Sequence, residues 1–360
     1  MRHSAETAQD LATLEDLGPL VENEEYHRAT PCVRLTFVSD GNLADRNARL
    51  DDWLARAAEL ARPEVKLYGG QGAAFPTSQR RKPKPSDWAL FDGLSDRLAA
   101  DMRQRTENDQ YDIPQESGSV FFGDSLSDGD SATRFYMMGS HPWRVSLALS
   151  LPLWRQKAAE MDALVEDLAA LGNVYDSGGY GFAMNLWDAP LDEMEDRLYY
   201  PISQRFRLID MVDPQIWRDS KLDALGPGGV PVAPLPPPLL YPIMPWTLLG
   251  KAALEALDIP LQAIRDLAPE VYAVQEYEYG FLIKLWPGPV LGDVNAGTDL
   301  TPAQALGRVL APAILPAAER FAKSGIARIG WPENKAAWYR RFVPARDRDP
   351  LDEVGLGGRS

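Results

Sequence analysis

The sequence predicts an α+β protein in which helices cover a mixed β-sheet or two adjoining sheets. One stretch carries most of this prediction. Residues 144–151 alternate apolar side chains with small polar ones, which is typical of a strand with one buried face. Residues 152–171 then repeat apolar side chains every three or four positions, as a helix with one buried side does. A strand pattern at 180–185 completes a predicted β-α-β unit over residues 144–185.

The ends of this central helix are marked by residues that favour helix termini. Pro152 suits the first turn, and Ser150 precedes it as a candidate N-cap. Gly172 is a typical stop. The glycine-rich run 178–181 lacks the lysine and hydroxyl residues of a phosphate loop and leads into a strand, so we expect a tight turn there.

The rest of the chain repeats strand and helix patterns of the same kinds. Strand patterns occupy residues 33–38, 65–68, 119–122, 134–138, 206–212, 271–274 and 278–286. Helix patterns occupy residues 43–61, 88–105, 246–257 and 302–321, the last with interruptions expected at Pro312 and Pro316. We expect the helices at 43–61, 152–171, 246–257 and 302–321 to cover the sheet.

Composition divides the chain into three parts. Residues 1–30 form an acidic N-terminal arm, in which leucines every three residues favour a short docked helix about as well as a mobile segment. Residues 31–343 form the main domain, and residues 344–360 a charged tail. Within the domain, the Pro-rich segment 226–245 excludes a helix or a central strand and favours a polyproline-like arm or a linker.

The net charge and the cysteine content limit which partners and which cellular compartment are expected. The formal net charge is −15, which would repel nucleic acid and attract basic partners, or would serve solubility alone. A single cysteine, Cys32, excludes an intramolecular disulfide. Residues 1–6 lack the apolar core of a signal peptide, and no apolar run is long enough to span a membrane. We therefore expect a cytoplasmic protein.

Few residues have the spacing of a reactive or cofactor-binding site, so we expect no cofactor. His3, His27 and His141 do not share metal-ligand spacing, and Cys32 follows Pro31 at a strand start, where a buried apolar role is usual.

Carboxylates are the remaining candidates for metal binding or catalysis. Asp124, Asp128 and Asp130 alternate with glycines and suit either a Ca²⁺ or Mg²⁺ site or ordinary turns. Asp293 could pair with Glu276 or Glu278, but the lysine of a nuclease array is missing.

Four patches within about residues 140–315 resemble the TsiV-like immunity proteins of bacterial type VI secretion systems. They are Gly179–Asn185, the group Tyr200-Pro201, Arg205-Phe206 and Ile209-Asp210, the run Trp246–Gly250, and Pro289–Gly297 with the helix that follows it. The resemblance implies a non-enzymatic protein that binds a toxin made by the same cell, in most cases a DNase.

An acidic surface suits that role, because a nuclease presents a basic groove to phosphates. The candidate contact residues are Asp124, Asp128, Asp130, Asp188, Asp192 and Glu193. Two alternatives remain open. One is a metal-dependent hydrolase that uses Asp124, Asp128 or Asp293, and the other is a structural component of the secretion apparatus.

Overall fold

A computed structural model describes most of the chain and contains ten strands and nine α-helices in the described part. It describes residues 5–17, 20–21, 28–39, 48–71, 81–94, 119–124, 132–138, 143–172, 174–185, 199–212, 238–323 and 331–344. The strands are β1 (Leu20–Val21), β2 (Arg28–Ser39), β3 (Leu67–Gln71), β4 (Ser119–Gly123), β5 (Arg134–Met138), β6 (Trp143–Ser150), β7 (Ser177–Asn185), β8 (Trp246–Gly250), β9 (Ala273–Glu276) and β10 (Gly280–Lys284). The helices are α1 (Ala5–Leu17), α2 (Ala48–Ala61), α3 (Pro85–Trp88), α4 (Leu151–Ala169), α5 (Tyr200–Arg205), α6 (Lys251–Ala256), α7 (Leu261–Arg265), α8 (Thr301–Lys323) and α9 (Pro332–Tyr339).

The strands form one large sheet, which confirms the α+β class. Its order is β3-β4-β5-β6-β2-β7-β8-β10-β9, with β1 paired to β2 off this path. All pairings between these named strands are antiparallel, so the expectation of a mixed sheet is wrong. The predicted β-α-β unit is present as β6-α4-β7, but β2 lies between its two strands and pairs antiparallel with each. The strands β6 and β7 are therefore parallel to one another without touching.

Helices α2 and α4 cover one face of the sheet. The Ser150 side chain accepts a hydrogen bond from Leu153 N at 3.2 Å and so caps α4 as predicted. The indole Nε1 of Trp53 in α2 donates to the carbonyl of Leu164 in α4 at 2.8 Å. The Trp53 ring also meets Phe37 of β2 edge to face, at a centroid distance of 5.5 Å. The two helices are thus fixed to each other and to the middle of the sheet.

The glycines of β7 bring an irregular segment onto the opposite face. The strand begins at Ser177, so the tight turn expected at residues 178–181 is wrong. A Cβ atom at Gly179 would lie 2.4 Å from Met244 Cγ, and one at Gly181 would lie 2.8 Å from Pro245 Cδ. These glycines are needed because the chain at 238–245 lies directly against the strand. That part of the Pro-rich segment is packed into the core, which excludes a linker role for it.

The predicted helix at 246–257 is wrong in its first half. Residues Trp246–Gly250 form β8, which is buried along its whole length between β7 and β10, and only Lys251–Ala256 are helical. The spacing of leucines and alanines across 248–257 is helical, but strand pairing on both sides overrides it because a strand buried on both faces needs no alternation.

Other elements follow or depart from the patterns. Strands β4 and β5 form an antiparallel hairpin, and so do β9 and β10. Helix α8 continues through Pro312 and Pro316, so the expected interruptions are wrong, and both prolines are exposed on its surface.

Residues 206–212 form isolated bridges instead of the expected strand. The N-terminal arm is helical over Ala5–Leu17 and buries Leu11 and Leu14. The domain boundaries remain predictions.

Candidate interaction surface

The acidic residues predicted to contact a partner lie almost entirely outside the described residues. Asp128, Asp130, Asp188, Asp192 and Glu193 all belong to ranges that the structure does not describe. Asp124 follows β4 and is half-buried, and its carboxylate accepts a hydrogen bond from Thr133 N at 3.1 Å. This contact closes the end of the β4-β5 hairpin. Partner binding by the six residues stays a prediction.

The carboxylates considered for catalysis have separate partners. Arg205 Nη2 donates to Asp293 Oδ2 at 2.9 Å, and Asn295 N donates to Asp293 Oδ1 at 2.9 Å. Burial would raise the pKa of Asp293, but these hydrogen bonds outweigh it and lower the pKa below its usual value. Glu276 pairs instead with Lys251 and Arg265. Lys251 also binds the carbonyl of Glu278 in the same hairpin. The expected pairing of Asp293 with Glu276 or Glu278 is therefore wrong.

Metal-ligating side chains do not converge in the part of the chain that the structure describes. No group of three or more His, Cys, Asp and Glu residues is arranged there to hold an ion. Cys32 is fully buried in the sheet, as expected, and its Sγ donates to the Ala183 carbonyl at 3.6 Å. Burial raises the pKa of the Cys32 thiol to about 12, which keeps it protonated and unreactive near neutral pH.

A buried ionic cluster joins the middle strand of the sheet to the chain at 206–212. Arg34 of β2 donates from Nε to Asp210 Oδ2 at 3.0 Å and from Nη2 to the Val212 carbonyl at 2.6 Å. The Tyr241 hydroxyl also donates to Asp210 Oδ2, at 2.7 Å. Burial would lower the pKa of Arg34, but Asp210 and Tyr241 outweigh it and raise the pKa, so the guanidinium is charged. The cluster is structural, because it is closed off from solvent.

An open groove lies on the outer side of the two covering helices. It has a volume of about 540 Å³ and is lined by Arg49, Asp52, Ala55, Arg56, Asp167, Ala170 and Leu171. An exposed ion pair between Arg56 and Asp167 crosses it at 2.8 Å. The lining mixes both signs of charge with small apolar side chains, so it indicates no particular ligand class.

The β9-β10 hairpin, at the β9 edge of the sheet, exposes tyrosine and carboxylate side chains. Strand β9 is the last strand of the sheet, and the chain around it carries Tyr272, 60% exposed, and Tyr279, 45% exposed. Residues 266–280 contain four carboxylates and neither lysine nor arginine. Tyrosine is enriched among the residues that dominate binding energy at protein interfaces, so the exposed tyrosines at this sheet edge favour a protein-binding surface. We call Tyr272, Tyr279 and β9 the edge surface. Its alternation of glutamate and tyrosine at 276–279 was the available sequence signal.

Basic side chains from α6 and α7 fix the edge surface in one conformation. Lys251 Nζ at the start of α6 lies 2.8 Å from Glu276 Oε1 and donates to the carbonyls of Tyr277 at 2.7 Å and Glu278 at 3.1 Å. Arg265 of α7 binds Glu276 through two parallel hydrogen bonds of 2.7 and 2.8 Å. Hydrogen bonds from Arg265 and then Lys251 lower the pKa of Glu276 to about 2. The hairpin is therefore preorganised at neutral pH.

Comparison with solved structures shows a relationship in fold. The chain is similar to the solved structure of Pseudomonas aeruginosa T6SS protein PA0821, with a TM-score of 0.59 and 18% sequence identity, over 98% of this chain and 95% of that chain. At this identity the likeness shows a shared fold. No protein-family model matches the chain, and no curated protein matches it. Among the described residues, no helix has the length and apolarity to cross a lipid bilayer.

Proposed function

We propose that this chain is an immunity protein of a type VI secretion system, which binds a toxin and blocks it inside the producing cell. The observation that carries the proposal is the similarity in fold to a T6SS protein over nearly the full length of both chains. The four sequence patches that resemble the TsiV-like family are consistent with it. All four lie on neighbouring elements. Strands β7 and β8 pair, Asp210 bridges to Ala183 of β7, and the Arg205–Asp293 ion pair joins the second patch to the fourth.

The proposed toxin is a nuclease with a basic DNA-binding groove. A net charge of −15 gives this chain a field that attracts such a groove over distances comparable to the Debye length. Electrostatic steering of this kind raises association rates to about 10⁸–10⁹ M⁻¹s⁻¹ at low salt. A fast association rate benefits an inhibitor that must reach its toxin before the toxin reaches DNA.

The test is a growth experiment with the polypeptide encoded by the neighbouring reading frame. Cells that express that polypeptide alone should stop growing, and cells that also express this chain should grow normally. A control strain expresses Asp210→Asn, which we expect to fold poorly. Failure of the wild-type chain to restore growth would overturn the proposal. Purification with secretion-apparatus subunits and no toxin would favour the structural-component alternative.

A further inference from the structure

Strand β9 presents two residues whose backbone groups point away from the sheet. Tyr277 N donates to the Gly280 carbonyl at 2.8 Å, so this pair lies at a hydrogen-bonded position of the antiparallel hairpin. Such positions alternate along the ladder, and the register pairs Gln275 with Leu282 and Ala273 with Lys284. The N–H and C=O groups of Val274 and Glu276 must therefore face outward. Among the described residues, nothing on the backbone pairs with them.

Exposed strand edges are usually protected, and two of the common devices are absent from this one. Proline or a lysine on the edge strand would block the approach of another strand. The run 271–280 contains neither. Tyr272 directly precedes β9, and Tyr279 lies in the turn between β9 and β10. Each exposed ring could pack against the side chains of an added strand. The edge is also held rigid by Lys251 and Arg265, which reduces the entropy lost on binding.

The charge of the edge surface selects the kind of strand that fits it. Glu278 and Asp266 are exposed, and residues 266–280 supply no basic side chain to offset them. Cations around this segment are already bound to carboxylates: Lys251 and Arg265 to Glu276, Arg308 to Glu270 and Lys284 to Glu166. An incoming strand with arginine or lysine beside its apolar residues would complement this charge, whereas an acidic strand would be repelled.

We propose that β9 is the docking site for an extended, arginine- or lysine-bearing segment of the toxin, which adds to the sheet as an eleventh strand. This proposal rests on the proposed function and names the surface through which it acts. The segment pairs its backbone with Val274 and Glu276, packs against Tyr272 and Tyr279, and places its basic side chains near Glu278.

The test compares two substitutions at one edge position. Val274→Pro removes the outward N–H without breaking a bond to β10, and Val274→Thr keeps that N–H. Circular dichroism and thermal melting establish that both variants fold. The binding probe is the polypeptide encoded by the neighbouring reading frame, measured by calorimetry. We expect Val274→Pro to bind at least ten-fold more weakly than wild type, and Val274→Thr to bind within two-fold of it.

Two further measurements make the test independent of proline strain. The double variant Tyr272→Ala/Tyr279→Ala should bind at least ten-fold more weakly, whereas Trp331→Ala, a matched control at an aromatic residue that is 59% exposed on another element, should bind as wild type does. Hydrogen exchange of the complex should slow at the Val274 and Glu276 amides.

The possible results distinguish an error in the docking surface from an error in the proposed function. If wild type binds and restores growth while Val274→Pro and the tyrosine variant bind within two-fold of it, the edge surface is wrong and the immunity function stands. Unchanged exchange at Val274 and Glu276 in the complex would lead to the same conclusion. Absence of binding by wild type would overturn both proposals.

Discussion

Arg34 and Asp210 form an ion pair in which each side chain is only 1% exposed, at 2.8 Å between Nη2 and Oδ2. Arg34 lies on β2, the middle strand of the nine-strand path, and Asp210 lies in the chain that crosses the sheet face. Asp210 Oδ1 also accepts from Val212 N at 3.0 Å, so its carboxylate holds its own loop and the sheet together. Charges in such a place are stable only as a pair.

We predict that Asp210→Asn lowers the free energy of unfolding by about 3–5 kcal/mol, because it leaves the buried Arg34 charge uncompensated. The measurement is urea unfolding at pH 7. The apolar double variant Arg34→Met/Asp210→Leu should recover most of the loss, since it removes both charges. Asp167→Ala, which breaks the exposed pair with Arg56, is the control and should cost less than about 1 kcal/mol. A loss below 1 kcal/mol for Asp210→Asn would contradict the structural role of the pair.

A second prediction concerns the close approach of β7 and the chain at 238–245. Gly179→Ala should destabilise the protein by about 1–3 kcal/mol, because the added methyl group would overlap Met244 and Tyr241. Shortening Met244 in the same variant should relieve part of the strain, so the two losses should not add. Additive losses in a double-mutant cycle, measured by chemical unfolding, would show that the methyl group is accommodated elsewhere.

These two regions also mark how far the sequence could predict the fold. The β6-α4-β7 unit was predictable because both of its periodicities are local. The insertion of β2 between β6 and β7 was not, since strand order depends on contacts such as Arg34 with Asp210, which are 176 residues apart. The glycines of β7 and the Pro-rich segment are both unusual in the sequence. The structure explains them together, because the glycines leave the space in which residues 238–245 pack against β7. Likewise, β8 has a helical pattern and becomes a strand only through its two neighbours.

The candidate site is harder to predict from the sequence than the fold, for a related reason. Composition predicts acidic contact loops, but most of their residues lie outside the described part of the chain, so that interface stays a prediction. Whether a strand such as β9 is at an edge is decided by sheet order, which periodicity does not report. The alternation of glutamate and tyrosine at 276–279 is visible in the sequence, but its exposure follows only from the position of β9.

A third prediction is a pH-dependent docking of α1. Asp10 accepts a hydrogen bond from Leu291 N at 2.8 Å. Burial raises the pKa of Asp10 to about 6; the Leu291 amide opposes this effect, while Glu6 and Asp293 add to it. A carboxyl with a raised pKa binds its proton more tightly in the folded state. Its stabilising contribution is therefore full below about pH 4 and is lost as the pH rises through 6.

The variant Asp10→Asn isolates this effect from the other carboxylates. Asparagine stays neutral and still accepts from Leu291 N, so the variant should be more stable than wild type at pH 8, by about 1–2 kcal/mol. The difference should disappear near pH 4, where Asp10 of the wild type is protonated as well. Urea unfolding across this range measures it, and hydrogen exchange locates it in α1. A variant less stable than wild type at pH 8 would show that the carboxylate charge itself holds α1.

The fourth prediction tests whether Lys251 holds the edge surface in its shape. Lys251→Met keeps the apolar stem but removes the contacts with Glu276 and with the carbonyls of Tyr277 and Glu278. The substitution leaves the carbonyls of the turn without the ammonium group that binds them, so the turn should loosen locally. We expect the Tyr277 amide, which donates to Gly280, to exchange about ten-fold faster while global unfolding changes little.

Arg265→Met is the matched comparison, because it removes the other cation bound to Glu276 and leaves the carbonyls of the turn in contact with Lys251. Its effect on the Tyr277 amide should be several-fold smaller. Affinity for the toxin should fall in the same order, Lys251→Met before Arg265→Met, because a loose edge must be ordered when a strand is added. Equal exchange rates of the Tyr277 amide in the two variants would mean that positive charge near Glu276 fixes the hairpin. The hydrogen bonds from Lys251 to the carbonyls of the turn would then not be the cause.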